Sequence, residues 1–293
     1  AAVEVRVEFE GRTPLADAAE HVSILVLPGR LGEGRYELLA RGLAQIYPEA
    51  SRARSKQPDW WRRPIYCGWG DQVGMALRLE GPGPEARALS YCTQGLYERW
   101  IRMLDEADVP VGTITIDAGW SPAGELTPWP TQWPDLRGFI DRQHAKGRKV
   151  LLWLATWLYD GLPDEWCTFR GKVKLTSDPN HPRYRAFLRE RVHRLISSEP
   201  GCFNADGFKI DQLAYVPSDQ TPRGGPQFGR TFVLEAERIK THGHNWGCEL
   251  LYQLQGEIYA AAKNAKADAL INSSTVHPYF HDIIDMARLH DTG

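Results

Sequence analysis

Carboxylate side chains recur in this sequence at the points where short apolar strands are predicted to end. Asp117 closes the run GTITID, Asp211 closes the run GFKID, and Asp291 follows the last predicted strand. Two carboxyl groups facing each other across a cleft can break a glycosidic bond, because one attacks or assists at the anomeric carbon and the other protonates the leaving oxygen. The positions of these residues therefore point to glycoside chemistry.

The surroundings of the carboxylates suggest different roles for them. Lys209 lies two residues before Asp211 on the same face of a strand, where a cation keeps a carboxylate ionised and fit to be a nucleophile. Asp291 follows His290 in a drier setting, which raises a carboxyl pKa and suits a general acid. Asp282 and Asp285 are rivals for the acid role, and we expect Asp285 to share the face of Asp291 nearer the middle of the barrel.

Tryptophan is frequent, with eleven residues, and several stand beside Asp, Gly or Pro. Flat aromatic faces next to carboxylates suit a sugar, whereas core packing explains most tryptophans in most proteins. The predicted strand ends supply the candidate substrate-binding residues Trp69, Asp71, Asp117, Trp120, Trp153, Lys209, Asn272 and Arg288.

Strands alternate with longer helices over residues 61–293. Strands are predicted at residues 63–69, 112–117, 149–156, 207–211, 269–273 and 283–288, and helices at 85–107, 136–146, 183–197, 231–241 and 249–265. This alternation predicts an α/β fold with a parallel sheet, either doubly wound or a (β/α)8 TIM barrel. The barrel is favoured, because no glycine-rich phosphate loop follows a strand and polar residues gather after many different strands.

Residues 1–60 are predicted to form a β-rich N-terminal segment. Residues 3–10 and 21–28 have strand patterns, residues 36–47 fit a short helix or a strand pair, and the polar run 51–59 marks a boundary. Since only six of the eight strands of a barrel are visible, we expect the remaining two to follow residue 293.

Composition excludes several classes of function. Hydrophobic residues make up 42%, charged residues 25%, and the formal net charge is −2, so no global basic field exists for nucleic acid or an anionic membrane. The longest apolar run, residues 150–159, is about half of what a transmembrane helix needs. The oligomeric state is left open.

Cysteine and histidine spacing predicts neither disulfides nor a metal centre. The five cysteines are an odd number without close pairs, which predicts free thiols in a reducing, cytoplasmic compartment. His242 and His244, like His277 and His281, lack the helical spacing of zinc ligands. We expect no metal and no organic cofactor.

The motifs, taken in order, resemble glycoside hydrolase family 36, the α-galactosidase and raffinose synthase group. Ile116–Trp120 (IDAGW) is similar to its Asp-x-Gly-Trp motif, and Phe208–Gln212 (FKIDQ) to its Lys-x-Asp nucleophile strand. Arg288–Asp291 (RLHD) resembles its Arg-x-Ser-Asp acid/base segment, and Cys67–Asp71 (CGWGD) its Trp-Asp element. The resemblance covers residues 64–293.

This resemblance implies a retaining α-glycosidase that needs no metal or cofactor and acts on an oligosaccharide or glycoside. Asp211 would be its nucleophile and Asp291 its acid/base. Asp117 and Trp120 would hold sugar hydroxyls, and Lys209 would contact a hydroxyl near the nucleophile.

Two departures from the family pattern leave alternatives open. Ala118 stands where family α-galactosidases usually carry a second Asp, and His290 replaces a Ser. One alternative is a family 31-type α-glucosidase or transglycosylase, which shares the barrel and the acid pair. Another, from a different class, is a non-catalytic carbohydrate-binding barrel.

Overall fold

The computed structural model describes residues 32, 34–50, 57–155, 157–170, 172–213, 239–243, 245 and 247–289. Its elements are, in chain order, α1 (Arg35–Ile46), β1 (Ile65–Cys67), α2 (Trp69–Glu80), α3 (Gln94–Glu106), β2 (Thr113–Ile116), α4 (Leu136–Ala145), β3 (Lys149–Ala155), β4 (Cys167–Arg170), β5 (Val173–Ser177), α5 (Pro182–Ile196), β6 (Gly207–Asp211), β7 (Ile239–Lys240), α6 (Gly247–Ala265), β8 (Leu270–Ser273) and β9 (Met286–Ala287). Short 3-10 helices occupy Asp59–Arg62, Glu85–Tyr91, Asp164–Trp166 and Pro278–Phe280.

Six strands form one parallel sheet in the order β1-β2-β3-β6-β8-β9. Each strand therefore pairs with the next strand of the sheet along the chain, and the order never reverses. A doubly wound sheet reverses its strand order at a switch point, whereas a barrel does not. The predicted α/β fold, with six consecutive strands of a (β/α)8 barrel, is confirmed.

Local sequence explains the regular elements. β2 and β3 consist mainly of β-branched and aliphatic residues and are buried along nearly their whole length, as strands covered on both faces require. Helix α4 begins at an Asp135 cap, whose Oδ1 accepts the Gly138 N–H at 2.9 Å. Helix α5 begins with Pro182, a residue that suits the first helical turn.

Several predicted boundaries are wrong. The first strand ends at Cys67, and Trp69 opens helix α2 instead. The helix predicted at 85–107 is divided, because Thr93 caps α3 by accepting the Leu96 N–H at 3.4 Å. Within the helix predicted at 231–241, Ile239–Lys240 is a strand, and residues 231–238 lie outside the described residues.

The structure contains a second sheet of three strands, in the order β5-β4-β7, that we did not predict from the sequence. Of the two options for residues 36–47, the structure has the helix. The strands predicted at residues 3–10 and 21–28 lie outside the described residues.

Two adjacent tryptophans close the amino-terminal end of the sheet. The indole N–H of Trp60 donates to Asp268 Oδ2 at 3.2 Å, and that of Trp61 donates to the Asp268 carbonyl at 3.1 Å. Their rings pack with the buried residues Leu151 and Leu270 and the partly buried Met286 from the inner face of the sheet. Part of the tryptophan excess therefore serves packing at the end of the barrel opposite the predicted site.

No cysteine of the five forms a disulfide, and their exposure ranges from fully buried Cys92 to exposed Cys248. In the described part of the chain, no helix is at once long enough and apolar enough to cross a bilayer.

A buried carboxylate anchors the start of β6. Asp206 is fully buried, and its Oδ2 lies 2.6 Å from His144 Nε2 and accepts the Val150 N–H at 2.9 Å. Its Oδ1 accepts from Lys149 at 3.0 Å and from Lys266 at 3.1 Å. Burial raises the pKa of this carboxyl, but the bond to His144 and the charge of Lys266 outweigh it and lower the pKa to about 2.

Replacing this anchor should destabilise the fold strongly. Asp206→Asn leaves two lysine ammonium groups without their counter-charge, so we expect the free energy of unfolding in urea at neutral pH to fall by about 3–5 kcal/mol. Asp141→Asn is the matched control, because the Asp141 side chain is 47% exposed beside Arg137 and should change stability by less than about 1 kcal/mol.

The same variant has a defined pH dependence. The folded pKa of Asp206 lies below its ordinary value, so its stabilisation is complete above the unfolded pKa and is lost as the pH falls toward about 2. As the pH falls from the unfolded pKa of Asp206 toward about 2, the difference in unfolding free energy between wild type and Asp206→Asn should therefore decrease. A constant difference would contradict the assigned role.

Candidate active site

The candidate site lies at the carboxyl ends of β2, β3 and β6, on the inner face of the sheet. Phe208 and Ile210 are fully buried in the main hydrophobic core, and the alternation of a strand places Lys209 and Asp211 on the opposite face. Asp117, directly after β2, contacts Lys209 on this inner face. Catalytic residues of barrel enzymes occupy this end of the strands.

Lys209 and Asp117 form a hydrogen-bonded ion pair, with Lys209 Nζ 2.7 Å from Asp117 Oδ2. The Cys67 thiol donates to the same oxygen at 3.0 Å. β2 and β6 are separated by β3, so flat strands would hold the two residues about 10 Å apart. The length of the lysine side chain and the curl of the sheet close that gap.

The protonation states within this group follow from burial and charge. Burial lowers the pKa of the Lys209 ammonium, but the Asp117 carboxylate outweighs it, and the pKa lies above its ordinary value. Burial and the charge of Asp117 raise the pKa of the Cys67 thiol to about 12. Cys67 therefore stays a neutral donor, and Lys209 stays charged.

A fully buried tyrosine and glutamine hold Asp117 from behind. The Tyr97 hydroxyl accepts the Asp117 N–H at 2.9 Å and donates to Gln72 Oε1 at 2.8 Å. Gln72 Nε2 in turn donates to the Ala118 carbonyl at 2.9 Å. The sequence analysis did not identify Tyr97 or Gln72. Gly68 is related to the position of Tyr97, because a Cβ at residue 68 would lie 2.1 Å from the Tyr97 hydroxyl oxygen and clash with it.

Asp211 is held in its ionised form. Its Oδ1 accepts from Arg288 Nη2 at 2.7 Å and from the Gln212 N–H at 2.9 Å, and its Oδ2 accepts the Trp153 indole N–H at 3.2 Å. Burial raises the pKa of this carboxyl, but the Arg288 charge, the Gln212 N–H, Lys209 and Trp153 together lower it below its ordinary value. Asp211 is therefore a carboxylate at neutral pH.

The candidates Trp120, Trp69 and Asp71 differ in how far they are buried. Trp120 is fully buried, and its indole N–H donates to the Trp153 carbonyl at 2.8 Å. No ring face of Trp120 is accessible, so in this structure it supports Trp153 from the core. Trp69 is half-buried at the start of α2, and Asp71 is exposed where it accepts the Tyr66 hydroxyl at 2.7 Å.

Asn272 lies next to Lys209 in the register of β6 and β8. The residue is only 8% exposed, and its Oδ1 has no hydrogen-bond partner among the described residues. A buried unsatisfied polar atom in a native fold calls for an explanation. Here it offers an acceptor on the same face as the Lys209 donor.

The two rivals for the acid role differ in their surroundings. The Asp285 side chain is buried at the amino-terminal end of β9, where Oδ2 accepts from Lys263 at 2.7 Å and from the Ile271 N–H at 2.9 Å. Its expected place near the middle of the barrel is therefore wrong. Asp282 is exposed and accepts the Tyr252 hydroxyl at 2.6 Å. Asp291 lies outside the described residues, and its role stays a prediction.

Removing the cation beside Asp211 should change the titration of that carboxyl. In Arg288→Gln we expect the pKa of Asp211 to rise, because burial then acts with less opposing charge. Carbon-13 NMR titration of the carboxyl group measures it. Arg142→Gln is the control, since Arg142 pairs with Asp135 and Glu98 instead. An unchanged Asp211 titration in Arg288→Gln would refute the pairing.

No protein-family model and no curated protein matches this sequence. Solved structures do match, among them the Kfla1895 D451A mutant in complex with isomaltose, with a TM-score of 0.51, 18% identity, 79% of this chain covered and 34% of that one. The same mutant in complex with cyclobis-(1->6)-alpha-nigerosyl matches with a TM-score of 0.50 and 17% identity, and the match covers 80% of this chain and 33% of that one. A family 31 α-xylosidase from a soil metagenome, complexed with xylose, matches with a TM-score of 0.47 and 14% identity, and the match covers 65% of this chain and 29% of that one.

The chain thus spans about a third of the length of the first two of these structures. At such low identity, their likeness shows the fold alone. It agrees with the barrel seen in the strand order.

Proposed function

We propose that this barrel belongs to a retaining α-glycoside hydrolase in which Asp211 is the nucleophile. The observation that carries the proposal is the setting of Asp211 at the carboxyl end of β6. Arg288 and Trp153 donate to its carboxylate, and its pKa is lowered. A nucleophilic carboxylate needs both ionisation and a fixed orientation. The side chain is also 20% exposed, which leaves a path for substrate.

The proposed reaction is a double displacement. A carboxylate oxygen of Asp211 bonds to the anomeric carbon as the glycosidic C–O bond breaks, and the leaving oxygen takes the proton of Asp291. The Asp291 carboxylate then removes a proton from water, which attacks the anomeric carbon and releases Asp211. Within the described contacts Oδ1 has two donors and Oδ2 has one, so Oδ2 is the better attacking atom.

Neighbouring side chains would orient the sugar. Lys209 Nζ supplies a charged donor, and the unsatisfied Asn272 Oδ1 supplies an acceptor one strand away. Sugar hydroxyls both donate and accept, so the pair is suited to bind two of them. The Asp117 carboxylate fixes Lys209 and thereby sets the position of its donor.

An α-glucoside is the better substrate proposal than the α-galactoside expected from the family 36 resemblance. Ala118 supplies no carboxylate where α-galactosidases of that family usually have one. The fold relative with a TM-score of 0.51 was solved with isomaltose, a disaccharide of glucose. The proposal therefore follows the family 31-type alternative, with galactose as its competitor.

Chemical rescue tests the roles of the two carboxylates. Asp211→Ala should lower kcat on an activated aryl α-glucoside by about a thousandfold or more, and added azide should restore turnover with a β-glucosyl azide as product. Asp291→Ala with azide should instead give the α-glucosyl azide, because azide then attacks the covalent intermediate. Proton NMR of the products distinguishes the two anomers.

Asp164→Ala serves as the control, since the Asp164 side chain is 80% exposed and pairs with Lys174. It should keep wild-type turnover. Full activity in Asp211→Ala would disprove the nucleophile assignment. Sugar binding by the wild type without turnover on any glycoside would instead establish the non-catalytic alternative.

A substrate panel tests the sugar preference separately. We expect kcat/KM on an aryl α-glucoside to exceed that on the α-galactoside and the α-N-acetylgalactosaminide by at least about tenfold, because hydroxyl-binding sites reject misplaced hydroxyls. Faster cleavage of the galactoside would contradict the α-glucoside proposal and favour a family 36-type specificity. It would not affect the assignment of Asp211 as the nucleophile.

A further inference from the structure

Three potential metal ligands converge on the loop that joins α5 to β6. His193 lies in the last turn of α5, and Glu199 and Cys202 follow in the loop. One ligand atom of each lies within 4.8 Å of the other two. We call these three residues the His193 cluster. The cluster lies near the amino-terminal end of β6, whereas Asp211 lies at the carboxyl end of the same strand.

The loop that carries the cluster is held by backbone hydrogen bonds. The Cys202 N–H donates to the Glu199 carbonyl at 3.0 Å, and the Phe203 N–H donates to the Arg194 carbonyl at 2.9 Å. Arg137 Nη1 donates to the Cys202 carbonyl at 2.7 Å. The backbone of both loop ligands is therefore ordered before any ion binds, which reduces the entropy that binding must overcome.

The ligand types fit zinc. An imidazole nitrogen, a thiolate sulfur and a carboxylate oxygen are the donors that Zn²⁺ prefers, and the thiolate and carboxylate together balance its charge. His193 Nε2 lies 4.0 Å from Glu199 Oε2, longer than a hydrogen bond, and the two atoms need to approach by roughly 0.6 Å to share one tetrahedral ion with bonds of about 2.0–2.1 Å. The nearby cation Arg137 is already paired with Asp141 at 2.8 Å.

We propose that His193, Glu199 and Cys202 bind one Zn²⁺ ion, with water as the fourth ligand. The Cys202 thiol loses its proton to solvent as the Zn–S bond forms. The bound ion ties the end of α5 to the loop before β6 and stabilises the folded state by mass action. This role is independent of the glycosidase proposal, because the cluster lies away from Asp211.

Cobalt and zinc titrations of the whole chain test the site. Co²⁺ should give a near-ultraviolet sulfur-to-cobalt charge-transfer band in the wild type and none in Cys202→Ser. Zn²⁺ alone, followed by calorimetry, should bind one ion per chain and raise Tm. Its affinity should fall by at least about tenfold in His193→Ala and in Cys202→Ser. Cys248→Ser, which removes an exposed cysteine outside the cluster, should bind as the wild type does.

A second measurement does not depend on the folding of the variants. In Cys248→Ser, stoichiometric Zn²⁺ should slow the alkylation of Cys202 by iodoacetamide, as read by peptide mass spectrometry. Unchanged alkylation, or Zn²⁺ binding that is undiminished in Cys202→Ser, would overturn the proposal and leave His193 and Glu199 as an ordinary surface pair.

Discussion

The ion pair between Lys209 and Asp117 holds the side chains in place on the inner face of the parallel sheet. Either charge would be destabilising at this depth without the other. The pair joins β2 to β6 across β3, and the Cys67 thiol extends the contact to β1. Since Lys209 and Asp211 lie two residues apart on one strand, holding Lys209 also sets the position of the proposed nucleophile.

Strand β6 has an aspartate just before its start and another at its end, and their surroundings give them different roles. Asp206 is fully buried and contacts two lysines and His144, so its carboxylate is saturated and serves stability. Asp211 remains 20% exposed, and Arg288 is the cation bound to it. This division agrees with the general rule for barrels, in which chemistry is located at the carboxyl ends of the strands and stability at the amino ends.

The strands and the pairing of Lys209 with Asp211 on one face were predictable, because β-branched runs and a period of two residues are local signals. Contacts across the sheet were not. Arg288 donates to the carboxylate of Asp211, 77 positions away in the chain, and this contact depends on the curl of the sheet. Sequence also could not show that Trp120 is buried, or that Trp60 and Trp61 close the opposite end of the barrel.

In the proposed reaction, Asp211 forms a covalent bond to the sugar. Incubating the wild-type chain with 5-fluoro-α-glucosyl fluoride and mapping its peptides by mass spectrometry detects this bond. We expect one glycosyl adduct, on Asp211, with loss of activity at the same rate. An adduct on a different carboxylate, or hydrolysis that yields the inverted anomer without any adduct, would contradict this expectation.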